Sequence, residues 1–150
     1  MMIVSACLAG VNCKYSGGNS LDERVQELVA KGEAIPVCPE QLGGCTTPRP
    51  VVEISGGTGV DVLDGRCKVL RKTGEDVTAE FVRGAEEVLR LALMTGAKKA
   101  ILKARSPSCG CGRIYDGTFS GKLIHGNGVT AELLLRNGIE VETEEEEKSP

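Results

Sequence analysis

Tryptophan is absent from this chain, and two Phe and two Tyr make up its whole aromatic content. Aromatics carry the largest apolar area per side chain, so the core must be assembled from Val, Leu, Ile and Ala, as in a sheet covered by helices. Histidine occurs once, at His125, which argues against mixed Cys/His zinc sites. No Cys-x-x-Cys pair is present, and this counts against a zinc ribbon or a thioredoxin-type redox centre. No apolar run approaches the roughly 20 residues of a membrane span. The chain has no basic stripe interleaved with aromatics, and its formal net charge is −3. A nucleic-acid surface held by phosphate contacts needs the opposite balance. The start, Met1-Met2-Ile3-Val4, lacks a basic segment followed by a cleavable apolar one, so a cytoplasmic protein is expected.

What the chain has in excess is cysteine. Seven in 150 residues fall below the roughly 8–10% of a disulfide scaffold. Their number is odd, and cytosolic thiols are normally kept reduced. Metal ligation or thiol chemistry explains them better. Thiolate-only ligation favours an iron–sulfur cluster or an all-cysteine zinc site.

A chain of this length is one ordinary domain, able to bury roughly two thirds of its unfolded surface. Short apolar runs alternate with helical patterns, which predicts an α/β fold: a three-layer, Rossmann-like, mostly parallel sheet with helices on both faces. Met2 to Ala6 reads as the first strand. A glycine-rich loop follows, then a helix from about Leu21 to Lys31 capped by Asn19 or Ser20, then a strand from Ala34 to Val37. Pro39 to Pro50 is a long loop without periodicity, of the kind compact domains keep for function. Asp61-Val62-Leu63 and Arg66-Cys67-Lys68-Val69 flank Asp64-Gly65, a two-residue turn signal that predicts a small β-hairpin excursion. Val77 to Thr95 carries one apolar stripe and is the longest helix. Lys99 to Lys103 is the central strand, and Ile114 to Ile124 reads as short hairpins or a flap. Val129 to Arg136 is a last helix, and Ile139 to Val141 an edge strand. The domain is thus residues 1–141, with 142–150 as an acidic disordered tail.

Cys7 and Cys38 each end a strand, and Cys109 lies in the loop after the central one. Ligands bind at the ends of strands in open α/β sheets, so the three thiols are read as one site if their strands are parallel neighbours. Three thiolates around a four-iron cluster leave one iron without a protein ligand, a Lewis acid that can hold a sulfur atom. Glu40 lies two residues beyond Cys38, and Ser106 three before Cys109. A carboxylate there is a candidate general base for water, and a hydroxyl can relay a proton. Cys13, Cys45, Cys67 and Cys111 are weaker candidates: Cys67 reads as packing, and one of Cys13, Cys45 and Cys111 can be a fourth ligand or a residue supporting the ligands. Arg49, between two prolines, is either a binding cation or a surface residue. Lys14, Tyr15, Asp116 and His125 complete the set of possible substrate contacts.

Three stretches, Ser5-Ala6-Cys7-Leu8-Ala9-Gly10, Val37-Cys38-Pro39-Glu40-Gln41-Leu42-Gly43-Gly44 and Arg105-Ser106-Pro107-Ser108-Cys109-Gly110, resemble the signatures of the domain of unknown function 523 family, which includes the thiouracil desulfidases. The resemblance extends to Thr47-Pro48-Arg49-Pro50, Gly74-Glu75-Asp76-Val77-Thr78 and Tyr115-Asp116-Gly117-Thr118-Phe119, and so to nearly the whole chain. It implies a [4Fe-4S] cluster held by Cys7, Cys38 and Cys109 with one open iron. It also implies Glu40 and Ser106 as catalytic residues, and non-redox hydrolytic loss of sulfide from a small thiolated compound such as 2-thiouracil. The competing expectations are a non-enzymatic metal-, iron–sulfur- or sulfur-carrying module, and a metal-free thiol redox or persulfide carrier.

Overall fold

The computed structural model describes residues 1–145. Its centre is a four-stranded sheet of order β2-β1-β5-β8. The strands are β1 (Met2–Ser5), β2 (Ala34–Val37), β5 (Lys99–Leu102) and β8 (Glu140–Thr143). Every neighbouring pair is parallel. The chain moves from β1 outward to β2, then returns to place β5 on the other side of β1. The strand order therefore reverses between β1 and β5, the position where an open α/β sheet leaves a crevice outside its carboxyl ends.

Side chains alternate across the sheet, which divides the core into two layers. Ile3, Ala100 and Leu102 pack beneath α4 (Thr78–Thr95) and α5 (Val129–Arg136), against Val88, Ala92, Ala131 and Leu134. Val4 and Ile101 face the opposite way, onto Leu8 and the Val25 of α1 (Glu23–Ala30). Helices thus cover both faces, as expected. Asp22 caps α1, its carboxylate accepting from the amides of Arg24 and Val25 at 3.1 and 3.2 Å; the cap lies two residues beyond the predicted Ser20. No described helix is long and apolar enough to cross a membrane.

The excursion after β2 exists but is built from other residues than the sequence suggests. Its strands are β3 (Val52–Ser55) and β4 (Lys68–Arg71), antiparallel, with Val52 opposite Arg71. Asp61-Val62-Leu63, expected as the first hairpin strand, belongs to the short helix α3 (Gly59–Leu63). The Thr58 amide donates to Asp61 Oδ2 at 2.9 Å, which starts the helix. Asp64-Gly65, taken for a hairpin turn, stops it instead, with Gly65 at φ +79°. Phe81 of α4 seals this second core with Ile54, Val69 and Val129.

Two further differences bear on the site. The loop from Pro39 begins with α2 (Pro39–Leu42), a single helical turn with Pro at its first position. It docks on α4 through two glycines: a Cβ on Gly43 would strike the Glu80 carbonyl, and one on Gly84 the Pro39 carbonyl. The expected tail also starts too early. Glu142 and Thr143 belong to β8. Glu144 is buried and accepts from the Ala104 amide at 2.8 Å and from Lys103 Nζ at 3.0 Å. Charge in the sequence reads as solvation, yet these acids are consumed at the end of the neighbouring strand. The rest of the tail, 146–150, lies outside the described residues.

Candidate functional site

Past the carboxyl ends of β1, β2 and β5 lies a cavity of about 460 Å³. Its walls include Cys7, Cys13, Cys38 and Cys109, together with Glu40, Arg49, Glu53 and Ser106. The three strand-end thiols therefore do meet in one place. Cys7 is on a 3₁₀ turn, Ala6–Ala9, that follows β1 directly. Cys38 stands between β2 and α2. Cys109 is on the loop after β5, a loop closed by its own side chains. Ser106 Oγ accepts the amides of Ser108 and Cys109 at 3.1 and 3.0 Å. The Ser108 and Thr130 hydroxyls, 2.7 Å apart, fasten the loop to the start of α5. At Gly110 a Cβ would press on the Ser106 carbonyl, so only glycine lets the chain turn back this tightly.

Glu40 and Arg49 form a partly buried ion pair. Arg49 Nε donates to Glu40 Oε2 at 2.6 Å and Nη2 contacts the same oxygen. The remaining guanidinium hydrogens go to the carbonyls of Cys13 and Thr46 and to Thr47 Oγ1 at 2.9, 3.1 and 2.9 Å. Arg49 is buried, not a surface arginine, and ties together three loops. Burial pushes the Glu40 carboxyl up from the usual carboxylate range, while the charge and hydrogen bonding of Arg49 pull against that rise.

Cys13, ranked below the other three from sequence, is a direct neighbour of two of them: its side chain interacts with those of Cys38 and Cys7. Cys38 Sγ donates to the Cys13 carbonyl at 3.8 Å. The thiols of Cys13, Cys38 and Cys109 are all raised. Cys38 is pushed up by Cys13 first and by burial second. Cys109 is pushed up to about 12, mainly by burial. Cys13 is lowered by Cys38 but raised more by Cys7 and burial together, reaching about 11. Binding a metal here must therefore displace protons from sulfur.

The donor set fits an iron–sulfur cluster. All seven cysteines are free thiols. Among the described residues no three Cys, His, Asp or Glu side chains gather tightly enough to hold one metal ion. A zinc ion draws its donors to about 2.3 Å. The cavity wall carries four cysteine thiols and no histidine, a donor set that suits a cluster in which each thiolate binds a different metal atom.

Of the remaining candidates, Lys14 and Tyr15 line the cavity. Asp116 instead holds its own turn, accepting the Thr118 amide at 2.9 Å, and His125 is exposed on β7 (Leu123–His125), paired with β6 (Arg113–Tyr115). Cys45, Cys67 and Cys111 do not line the cavity and pack into the hydrophobic clusters instead. Glu53 escaped the sequence reading. Between Val52 and Ile54 it looks like the solvent face of a strand, and only the β6–β7 loop folding over it brings it inside.

These features define an α/β protein of the doubly wound kind, with a thiol-lined pocket at its switch point. The chain belongs to the 2-thiouracil desulfurase family, whose model matches residues 2–146. The uncharacterized protein YbbK of Bacillus subtilis (strain 168) is 49% identical over 146 residues, covering 97% of each chain. The solved structure of the [4Fe-4S]-dependent thiouracil desulfidase TudS shares 44% identity and superposes with a TM-score of 0.85, covering 97% of this chain and 91% of that one.

Proposed function

We propose that this chain is an iron–sulfur-dependent desulfidase that removes sulfur, as sulfide, from a small cyclic thioamide such as 2-thiouracil. Water replaces sulfur on the carbon, C=S becomes C=O, and no electrons are exchanged. The observation that carries the reading is the meeting of Cys7, Cys38 and Cys109 with Glu40 and Ser106 around one cavity in a member of this family. A four-iron, four-sulfur cluster held by the three thiolates supplies one iron with no protein ligand, a Lewis acid matched to sulfur.

The chain's own residues handle the proton and the geometry. Glu40, raised by burial and held against Arg49, is the general base for water; a carboxylate raised above its ordinary range is the stronger base. Ser106 Oγ already accepts two backbone amides, so its own proton remains available to donate. The low-dielectric wall strengthens each of these interactions.

Anaerobic reconstitution with iron and sulfide followed by incubation with 2-thiouracil tests the reading: uracil and sulfide appear in equal amounts. A protein that takes up iron yet leaves 2-thiouracil intact sinks it. A storage or carrier module has no use for a buried carboxylate–guanidinium pair beside its metal, and such a module would be indifferent to Glu40→Gln and Ser106→Ala.

A further inference from the structure

Glu53 is a buried carboxylate in the cavity wall to which the chemistry above assigns no task. It projects from β3, an otherwise apolar edge of the pocket. Its Oε1 accepts two amides of the β6–β7 loop, Gly117 at 2.9 Å and Phe119 at 3.1 Å. Phe119 sits at φ +57°, so this loop is held in a tight shape that the carboxylate braces. Oε2 makes no hydrogen bond and Glu53 forms no ion pair among the described residues. Nor is Oε2 among the polar atoms sealed from solvent without a partner. A ligand that displaces solvent from this acceptor, which has no cation beside it, must bring a donor of its own to avoid leaving it unpaired.

We propose that Glu53 is a specificity-determining residue whose free oxygen accepts a ring N–H of the substrate. The site thereby selects cyclic thioamides that keep an N–H beside the thiocarbonyl. This rests on the desulfidase reading for the substrate class and deepens it. The brace alone requires one acceptor oxygen, which a glutamine also has; a carboxylate adds a second acceptor and no donor. Sites built around such a hydrogen bond reject analogues lacking the donor far more strongly than apolar pockets reject a missing methyl group.

The test is equilibrium binding, under anaerobic conditions, of 2-thiouracil and its 1,3-dimethyl derivative to the iron-loaded wild type and to Glu53→Gln. Wild type binds the unmethylated compound about tenfold tighter or more. In Glu53→Gln the loop amides occupy the carboxamide oxygen, its NH₂ faces the ligand N–H, and the preference collapses toward one. If Glu53→Gln does not fold, Glu53→Ala is measured in its place, with the same expectation. A preference that persists in the variant, or two affinities that fall in parallel, reduces Glu53 to a loop brace and overturns the proposal. Equal binding of both compounds by wild type overturns it as well. N–H-dependent binding without sulfide release upholds Glu53 and overturns the desulfidase reading instead.

Discussion

The seven cysteines divide into two groups that burial alone cannot tell apart. Cys7 at the cavity and Cys45 in the hydrophobic core have the same fractional exposure, 8%. Cys109 and Cys111 are two residues apart, yet the first lines the cavity while the second turns to the Val141 carbonyl at 3.7 Å beside the main core. What separates the groups is position along the sheet. Thiols past the carboxyl ends of β1, β2 and β5 line one cavity; Cys45, Cys67 and Cys111 pack outside it. Following the right strand is not sufficient, since Cys111 comes after β5 as Cys109 does and lies outside the cavity.

The sharpest way to break that division is to move one thiol from each group. Cys38→Ser or Cys109→Ser is expected to lose nearly all stable iron after anaerobic reconstitution, whereas Cys45→Ala keeps the wild-type iron content; equal iron in all three would dissolve the distinction. Glu40→Gln comes next. It should retain iron and lose about 10²- to 10⁴-fold in turnover, measured as sulfide released per loaded site. Arg49→Met leaves Glu40 without its cation and should cost about 3–5 kcal/mol of stability, visible as a lowered urea midpoint. Glu144→Ala strands the Ala104 amide and should cost about 1–3 kcal/mol, read in the same titration. The smallest effect is expected at Cys67→Ala, within about 1 kcal/mol and with no change in iron content.

The raised thiols of the cavity add a pH dependence to metal binding. Cys38 and Cys109 hold their protons above the usual thiol range, and a metal binds only the thiolate. Iron uptake by the metal-free protein should therefore rise with pH, since fewer protons must be displaced. Reconstitution at pH 9 should outpace reconstitution at pH 7, followed by the cluster's visible absorption. Cys13→Ala should leave the iron content unchanged, which distinguishes a neighbour of the ligands from a ligand.

Much of this was legible in the chain. The alternation of apolar runs with helical stripes foretold the parallel sheet and its two helical layers, because both periods are local properties of the backbone. The strand-end cysteines, Glu40 and Ser106 were legible for the same reason: a residue just past a strand goes wherever the strand points. Asp64-Gly65 misled because one dipeptide serves both as a hairpin turn and as a helix stop, and only the Thr58–Asp61 contact decides between them.

By itself, then, the order of residues determined which segments are strands and helices, and which side chains emerge where the strands end. Tertiary structure decided what those side chains meet. Arg49 reaches Glu40 across nine residues, Glu53 reaches Gly117 across 64, and Ala104 reaches Glu144 across 40. Such pairings depend on how loops fold over one another after the sheet has formed, and no local pattern of charge or hydrophobicity records them.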